Sequence, residues 1–163
     1  MRLRGRAWKF GDDISTDHIT PGRYYHLRSN MTELAKHVME DADPDFMKKF
    51  KPGDFIVAGK NFGMGSSREH APLALKIAGV NAVIAKSFAR IFYRNAINIG
   101  LPLLIAQTEE IENGEEIEVE VSKGIIYTKK GEIGAKSLPE IMIKILNEGG
   151  LVNYIKKHGD IEV

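Results

Sequence analysis

Asp54-Phe55-Ile56-Val57-Ala58-Gly59, then Lys60-Asn61-Phe62-Gly63-Met64-Gly65-Ser66-Ser67-Arg68, then Glu69-His70-Ala71-Pro72-Leu73-Ala74-Leu75-Lys76-Ile77-Ala78-Gly79 together decide how this chain folds. The first piece follows a Pro52-Gly53 turn and is a short apolar run, a buried strand by its length and content. In the third, Ala71, Leu73, Ala74, Leu75, Ile77 and Ala78 form an apolar face at helical spacing that stops at Gly79. Pro72 has no amide hydrogen and belongs in a first helical turn, so the helix starts near Glu69 with Ser66-Ser67-Arg68 at its mouth. The rhythm continues: residues 80–85 read as a strand, 88–98 as a helix and 103–106 as a strand. Strand and helix alternating in this way imply an α/β core with some parallel pairing.

Upstream, Arg2-Leu3-Arg4-Gly5-Arg6-Ala7-Trp8 alternates and reads as a half-exposed strand whose arginines face solvent. Residues 10–28 are dense in turn formers and polar groups, a long loop of the kind that carries function. Thr32 is placed to cap a helix with Leu34, Ala35, Val38 and Met39 as its apolar stripe, and His37 on its surface. Downstream, Ile117-Glu118-Val119-Glu120-Val121 alternates strictly, a strand with an acidic, solvated outer face. Ser122-Lys123-Gly124 turns it into Ile125-Ile126-Tyr127-Thr128. Residues 138–146 and 151–155 read as amphipathic helices. The character changes to a glutamate-rich stretch from Thr108, but no internal repeat, low-complexity tract or clear second domain follows, so residues 1–163 are expected to form one domain.

Composition narrows the function. Hydrophobic residues make up 43% and charged residues 28% of the 163, an ordinary soluble globular balance. Lys plus Arg number 23 against 22 acids, a net charge of +1, which gives no prior for nucleic acid or an anionic membrane as partner. No apolar run approaches the ~20 residues that span a bilayer, and the basic start leads into no signal-type stretch. A cytoplasmic location is the default expectation. With no cysteine, the chain by itself holds no disulfide, thiolate nucleophile or Cys-ligated cluster. His18, His26, His37, His70 and His158 are scattered, without metal-ligand spacing.

The chemistry concentrates in the glycine loop. Unpaired amides at a helix mouth, together with the positive end of the helix dipole, form an anion site. Glycines let backbone approach the ligand, while Ser66, Ser67 and Arg68 add directional donors. The same residues also fit a plain turn in which Ser66-x-x-Glu69 is a capping box. Nucleotide fingerprints are absent: no Gly-Lys-Ser/Thr ending and no third glycine after Gly63-x-Gly65. Carboxylate or phosphate is the better ligand, with Arg68 as a planar clamp. A serine becomes a base only where amides and cations stabilise its alkoxide. Expelling hydroxide from the neighbouring carbon further requires a Lewis acid, which nothing here evidently supplies. As an active site this is half of one.

Thr16-Asp17-His18-Ile19, then Gly63-Met64-Gly65-Ser66-Ser67-Arg68-Glu69-His70-Ala71, then Ala85-Lys86-Ser87-Phe88-Ala89-Arg90-Ile91-Phe92-Tyr93-Arg94-Asn95 resemble, in order, the motifs of the aconitase superfamily's swivelling domain. As a separate chain of this size, the sequence is similar to the small subunits of that superfamily's two-chain dehydratases. The ending Gly149-Gly150-Leu151-Val152-Asn153-Tyr154 fits as well.

The resemblance implies a β/β/α swivelling domain, with a partly parallel sheet and flanking helices, that closes over a large subunit carrying a 4Fe-4S cluster. No cofactor is expected on this chain alone. By resemblance Ser66 is the catalytic base, Ser67 and Arg68 bind substrate, and Asp17 is a polar orienting group. Arg28 is the nearest match to a carboxylate-binding arginine, one position short, with Arg23 the other candidate. Tyr24, Tyr25, His26 and Leu27 form the specificity loop: Tyr24, Tyr25 and Leu27 suit an isopropyl group, whereas Arg28 suits a carboxylate arm. The implied reaction interconverts 2- and 3-isopropylmalate by dehydration and rehydration in leucine biosynthesis. A homoaconitase small subunit, or one enzyme with both specificities, is the alternative; the substrate is a small hydroxy di- or tricarboxylic acid either way. Residues 87–95 read as a packing helix, whose Arg90 and Arg94 suit a subunit interface. From other classes, a stand-alone anion-binding module would bind without a partner, and an RNA-binding role is disfavoured by the near-neutral charge. Self-association and subunit ratio stay open.

Overall fold

Four strands pair side by side in parallel: β1 (Arg2–Lys9), β2 (Phe55–Ala58), β3 (Val83–Ala85) and β4 (Leu103–Ile105). The structure is a computed structural model and describes residues 2–66 and 68–159. On the other edge of β1 lie three antiparallel strands, β5 (Glu116–Glu120), β6 (Ile125–Thr128) and β7 (Gly131–Gly134), giving the order β4-β3-β2-β1-β5-β6-β7. Beyond β7 the Lys136 amide donates to the Ile105 carbonyl of β4 at 2.8 Å. The two ends of the sheet therefore approach each other, and it curls into two β layers flanked by helices, the β/β/α arrangement expected.

Burial explains the alternation. Every residue of β2 and β3 is buried, as in parallel strands covered on both faces. The core runs from Phe46, Phe55 and Phe62 through Leu75 and Ile84 to Leu101 and Leu103. The covering helices are α1 (Thr16–Ile19), α2 (Met31–Leu34), α3 (Phe46–Lys49), α4 (His70–Ala78), α5 (Arg90–Asn98), α6 (Glu140–Asn147) and α7 (Leu151–His158). Helix α4 ends as its sequence indicates: Gly79 takes φ +101°, and the Val80 amide returns to the Leu75 carbonyl at 3.1 Å.

The antiparallel half follows the period-2 pattern. In β5, Ile117 and Val119 are buried while the glutamates between them face outward. Those glutamates do not stand alone in solvent, and neither do the β1 arginines: Arg2 reaches Glu118 at 2.8 Å and Arg4 reaches Glu116 at 3.0 Å, a cross-strand ladder.

Several local expectations need correction. Thr32 caps nothing; Asn30 is the cap of α2, its side chain accepting from the Glu33 amide at 3.3 Å. The helix expected through Met39 stops after α2 and a 3-10 turn (Ala35–His37), because Val38 is extended and Met39 turns left-handed at φ +63°. Residues 10–28 are not an unstructured loop: they hold α1 and the start of an eight-residue 3-10 helix (Gly22–Ser29). Strand β7 and helix α3 were not anticipated, since a strand flanked by glycines and a one-turn helix carry no readable period. Among the described residues no helix is long and apolar enough to cross a membrane.

Candidate active site

Three connections leave the C-terminal ends of the parallel strands β1, β2 and β3 on one edge, where open α/β sheets bind ligands. The first two run alongside each other. Gly59 donates to Gly11 at 3.1 Å, Asp13 to Lys60 at 2.8 Å, Gly63 to Ile14 at 2.7 Å and Thr16 to Met64 at 2.9 Å, all through backbone. Asp13 and Asn61 both take φ +59°, a conformation short polar residues tolerate, and Asn61 Nδ2 donates to the Asp13 carboxylate at 3.1 Å. At Gly63, φ is +86° and an added Cβ would lie 2.3 Å from the Phe92 ring. Only glycine lets the loop lie this close to α5.

This pairing brings α1 to the mouth of α4. Ser15 and His18 close a capping box at α1: the Ser15 hydroxyl accepts from the His18 amide at 3.2 Å, and the His18 ring accepts from the Ser15 amide at 2.9 Å. Thr16 donates its hydroxyl hydrogen to the Ser66 carbonyl at 3.0 Å, which fixes the backbone that presents Ser66. Ser66 itself is exposed, and its hydroxyl bonds no described residue. The alternative reading, a capping box between Ser66 and Glu69, does not form: Glu69 occupies the cap position of α4 with helical φ and no side-chain bond. Ser67 lies outside the described residues.

Arg68 is far less exposed than the Asp17 it meets. Its side chain is 17% exposed; its Nη1 donates to the Thr20 carbonyl at 2.9 Å and forms an ion pair with the Asp17 carboxylate at 2.7 Å. Both contacts use one nitrogen, so Nε and Nη2 have no partner among the described residues. Asp17, two-thirds exposed, stands at the rim.

The 3-10 helix (Gly22–Ser29) divides its residues between two sides, because positions three apart eclipse in that helix. Tyr24 and Leu27 turn inward against the core. Tyr25 and Arg28 turn towards α4: the Arg28 guanidinium lies 4.2 Å from the Tyr25 ring centre, Arg68 lies 5.9 Å from it, and the His70 ring meets it edge-on at 5.5 Å. This separates the two arginine candidates. Arg28 stands with Arg68, whereas Arg23 is engaged by Glu40 at 3.1 Å and by Asp41. His26 is exposed. Burial foremost, then the charges of Arg68 and Arg28, hold the His70 imidazole below its ordinary value, so it is neutral near pH 7. The edge carries the guanidinium charges of Arg28 and Arg68, with Arg90 beyond them, against the carboxylates of Asp17 and Glu69, a net positive field that suits an anion.

A cleft of about 290 Å³ opens beside Ser66 and Arg68, walled by Thr16, Arg90, Ile91 and Asn95. Sequence reasoning gave no site role to Arg90 or Asn95. The available signal was topological: α5 follows β3, so its first turns open on the same edge as the mouth of α4. The chain has no cysteine, and among the described residues no group of three or more His, Asp or Glu could hold a metal ion. These residues do not fit an iron–sulfur cluster.

Residues 9–108 match the aconitase C-terminal domain family. The chain is 78% identical to 3-isopropylmalate dehydratase small subunit 2 of Archaeoglobus fulgidus, over 100% of both chains. It is 59% identical to 3-isopropylmalate dehydratase small subunit 1 of Thermotoga maritima, over 96% of each. The crystal structure of a 3-isopropylmalate dehydratase from Methanocaldococcus jannaschii superposes with a TM-score of 0.93 at 51% identity, covering 98% of this chain and 96% of the other.

Proposed function

The chain belongs to the aconitase C-terminal domain family, among the small subunits of 3-isopropylmalate dehydratase, and from that premise we propose how its site contributes to the reaction. It acts as a single swivelling domain, in the cytoplasm, closing over a large subunit that carries the 4Fe-4S cluster. The assembled enzyme interconverts 2- and 3-isopropylmalate through loss and return of water. The observation that carries this reading is Ser66 held exposed at the mouth of α4 with Arg68 locked beside it.

A serine hydroxyl does not deprotonate a carbon acid unaided near pH 7. Ser66 becomes a base because the unpaired amides and dipole at the start of α4 stabilise its alkoxide, which then takes the proton from carbon and returns to the hydroxyl. Arg68 holds a substrate carboxylate with its unpartnered nitrogens, and Asp17 and Thr20 fix the angle of that fork. Ser67 adds a hydroxyl donor to the same carboxylate. Arg28 takes the second carboxylate, while Tyr25 with Tyr24 and Leu27 behind it forms an apolar wall for the isopropyl group. His26 belongs to the rim of that loop.

The test assembles the chain with its large subunit under anaerobic conditions, with 3-isopropylmalate and homoaconitate offered separately. Ser66→Ala is expected to lower kcat about 10³-fold and leave the melting temperature unchanged, since Ser66 is exposed. Turnover within threefold of wild type in the variant would remove Ser66 from the chemistry. Preference for homoaconitate would reassign the loop to a carboxylate-bearing arm.

A further inference from the structure

The eight-residue 3-10 helix that carries Tyr25 and Arg28 buries none of its residues fully. Such helices are short in proteins because their hydrogen bonds are poorly aligned, so one this long needs anchors outside itself. Its outer anchors converge on one carboxylate. Glu40 Oε1 accepts from the Tyr24 hydroxyl at 2.8 Å and from the Arg23 guanidinium at 3.1 Å. Glu40 Oε2 meets His37 Nδ1 at 2.9 Å, and the His37 ring stacks on Tyr24 with centres 3.9 Å apart and planes 13° apart. Asp41 takes the other terminal nitrogen of Arg23.

The chain arranges this deliberately in its backbone. Met39, immediately before Glu40, is a fully buried non-glycine residue at φ +63°. Its amide donates to the Ile19 carbonyl of α1, the helix that bears Asp17, at 3.0 Å. A left-handed residue of this kind persists only where its surroundings hold it. Here the reversal after Val38 turns Glu40 towards Tyr24 while Met39 stays in the core. Burial alone would push the Glu40 carboxyl up, but hydrogen bonds from Tyr24, His37 and Arg23 together hold it below the ordinary glutamate range.

We propose that Glu40 is the positioning residue of the substrate-facing loop: by gripping Tyr24 and Arg23 on one side, it sets where Tyr25 and Arg28 stand on the other. Glu40 touches no substrate and acts through the loop. The proposal rests on the loop facing substrate, as proposed above, and deepens that reading by naming what fixes its geometry.

Two measurements separate the proposal from its premise. Hydrogen exchange of the amides of residues 22–29 is followed in the isolated chain, and KM and kcat for 3-isopropylmalate in the assembled enzyme, for wild type, Glu40→Ala, Glu40→Gln, Arg28→Ala and the Glu40→Ala/Arg28→Ala pair. In Glu40→Ala the loop amides are expected to exchange about tenfold faster. KM should rise about tenfold with kcat within twofold. Glu40→Gln keeps an acceptor for the Tyr24 hydroxyl and is expected to fall between Glu40→Ala and wild type. The Arg28→Ala effect should shrink in the Glu40→Ala background, because a loop already displaced no longer presents Arg28. Unchanged loop exchange, or an Arg28→Ala effect that adds in full to Glu40→Ala, overturns the positioning role while leaving Arg28 at substrate. Faster exchange with KM unmoved by Glu40→Ala and Arg28→Ala alike overturns the premise that the loop faces substrate, and the proposal with it.

Discussion

The two halves of the sheet solve the same packing problem in opposite ways. In the parallel half, β2 and β3 are buried on both faces, and each strand must leave the sheet and return through a helix. Those crossings place the starts of α1, α4 and α5 on one edge, with Ser66, Arg68, Asp17 and Arg90 at or near them. In the antiparallel half, hairpins join β5, β6 and β7 directly, and the outward face carries an Arg–Glu ladder. Nothing in that half converges. Parallel topology makes helix mouths, and helix mouths make the site.

The sharpest way to break this contrast is with one methyl group in each half. Gly63→Ala puts a Cβ against the Phe92 ring at a positive φ, whereas Gly134→Ala in β7 meets nothing within 4 Å. The first is expected to cost about 2–4 kcal/mol in urea unfolding, and the second to stay within about 0.5 kcal/mol of wild type. Equal costs would mean that the site loop is not wedged on α5.

A smaller effect tests the charge placed at the site. The folded chain holds His70 below its ordinary value of 6.5, so below that pH the unfolded chain binds a proton that the folded chain resists. The contribution is fully present above about pH 6.5 and is lost as pH falls below it. In His70→Gln the loss of stability between about pH 6.5 and 5 should be shallower than in wild type. Parallel urea-midpoint profiles for the two proteins would contradict the burial of this imidazole beside Arg68 and Arg28.

The smallest effect belongs to the ladder. Arg4→Ala removes an ion pair whose partners are both more than half exposed. The melting temperature should stay within about 2 °C of wild type, less so at low salt, with turnover of the assembled enzyme unaffected. A large drop in turnover would give the antiparallel half a part in catalysis.

What could be read from sequence follows the range of the signal. Strands β1 to β6 and helices α4 to α7 were legible because apolar period, Pro72 and Gly79 are local marks. Asp17, Ser66 and Arg68 stood out as candidates because contiguous motifs carry them, and the structure brings them to one edge. The 3-10 helix was hidden among turn formers, so the division of Tyr24 and Leu27 from Tyr25 and Arg28 could not be seen. Only with that helix in view does Arg28 stand beside Arg68 while Arg23 turns to Glu40. Glu40 was invisible for a different reason: its reach to Tyr24 depends on the left-handed turn at Met39, which no propensity for methionine suggests. The Arg90 and Asn95 wall depends on how β3 sets α5 against the glycine loop.

The most direct test of a site divided between two chains is complementation. This chain, the cluster-loaded large subunit, and the two together are each given 3-isopropylmalate under anaerobic conditions, and formation of the unsaturated intermediate is followed by absorbance. Turnover is expected from the mixture alone, rising to a plateau as this chain is titrated into a fixed amount of large subunit. Turnover by this chain without its partner, or a mixture no faster than the large subunit by itself, would contradict it.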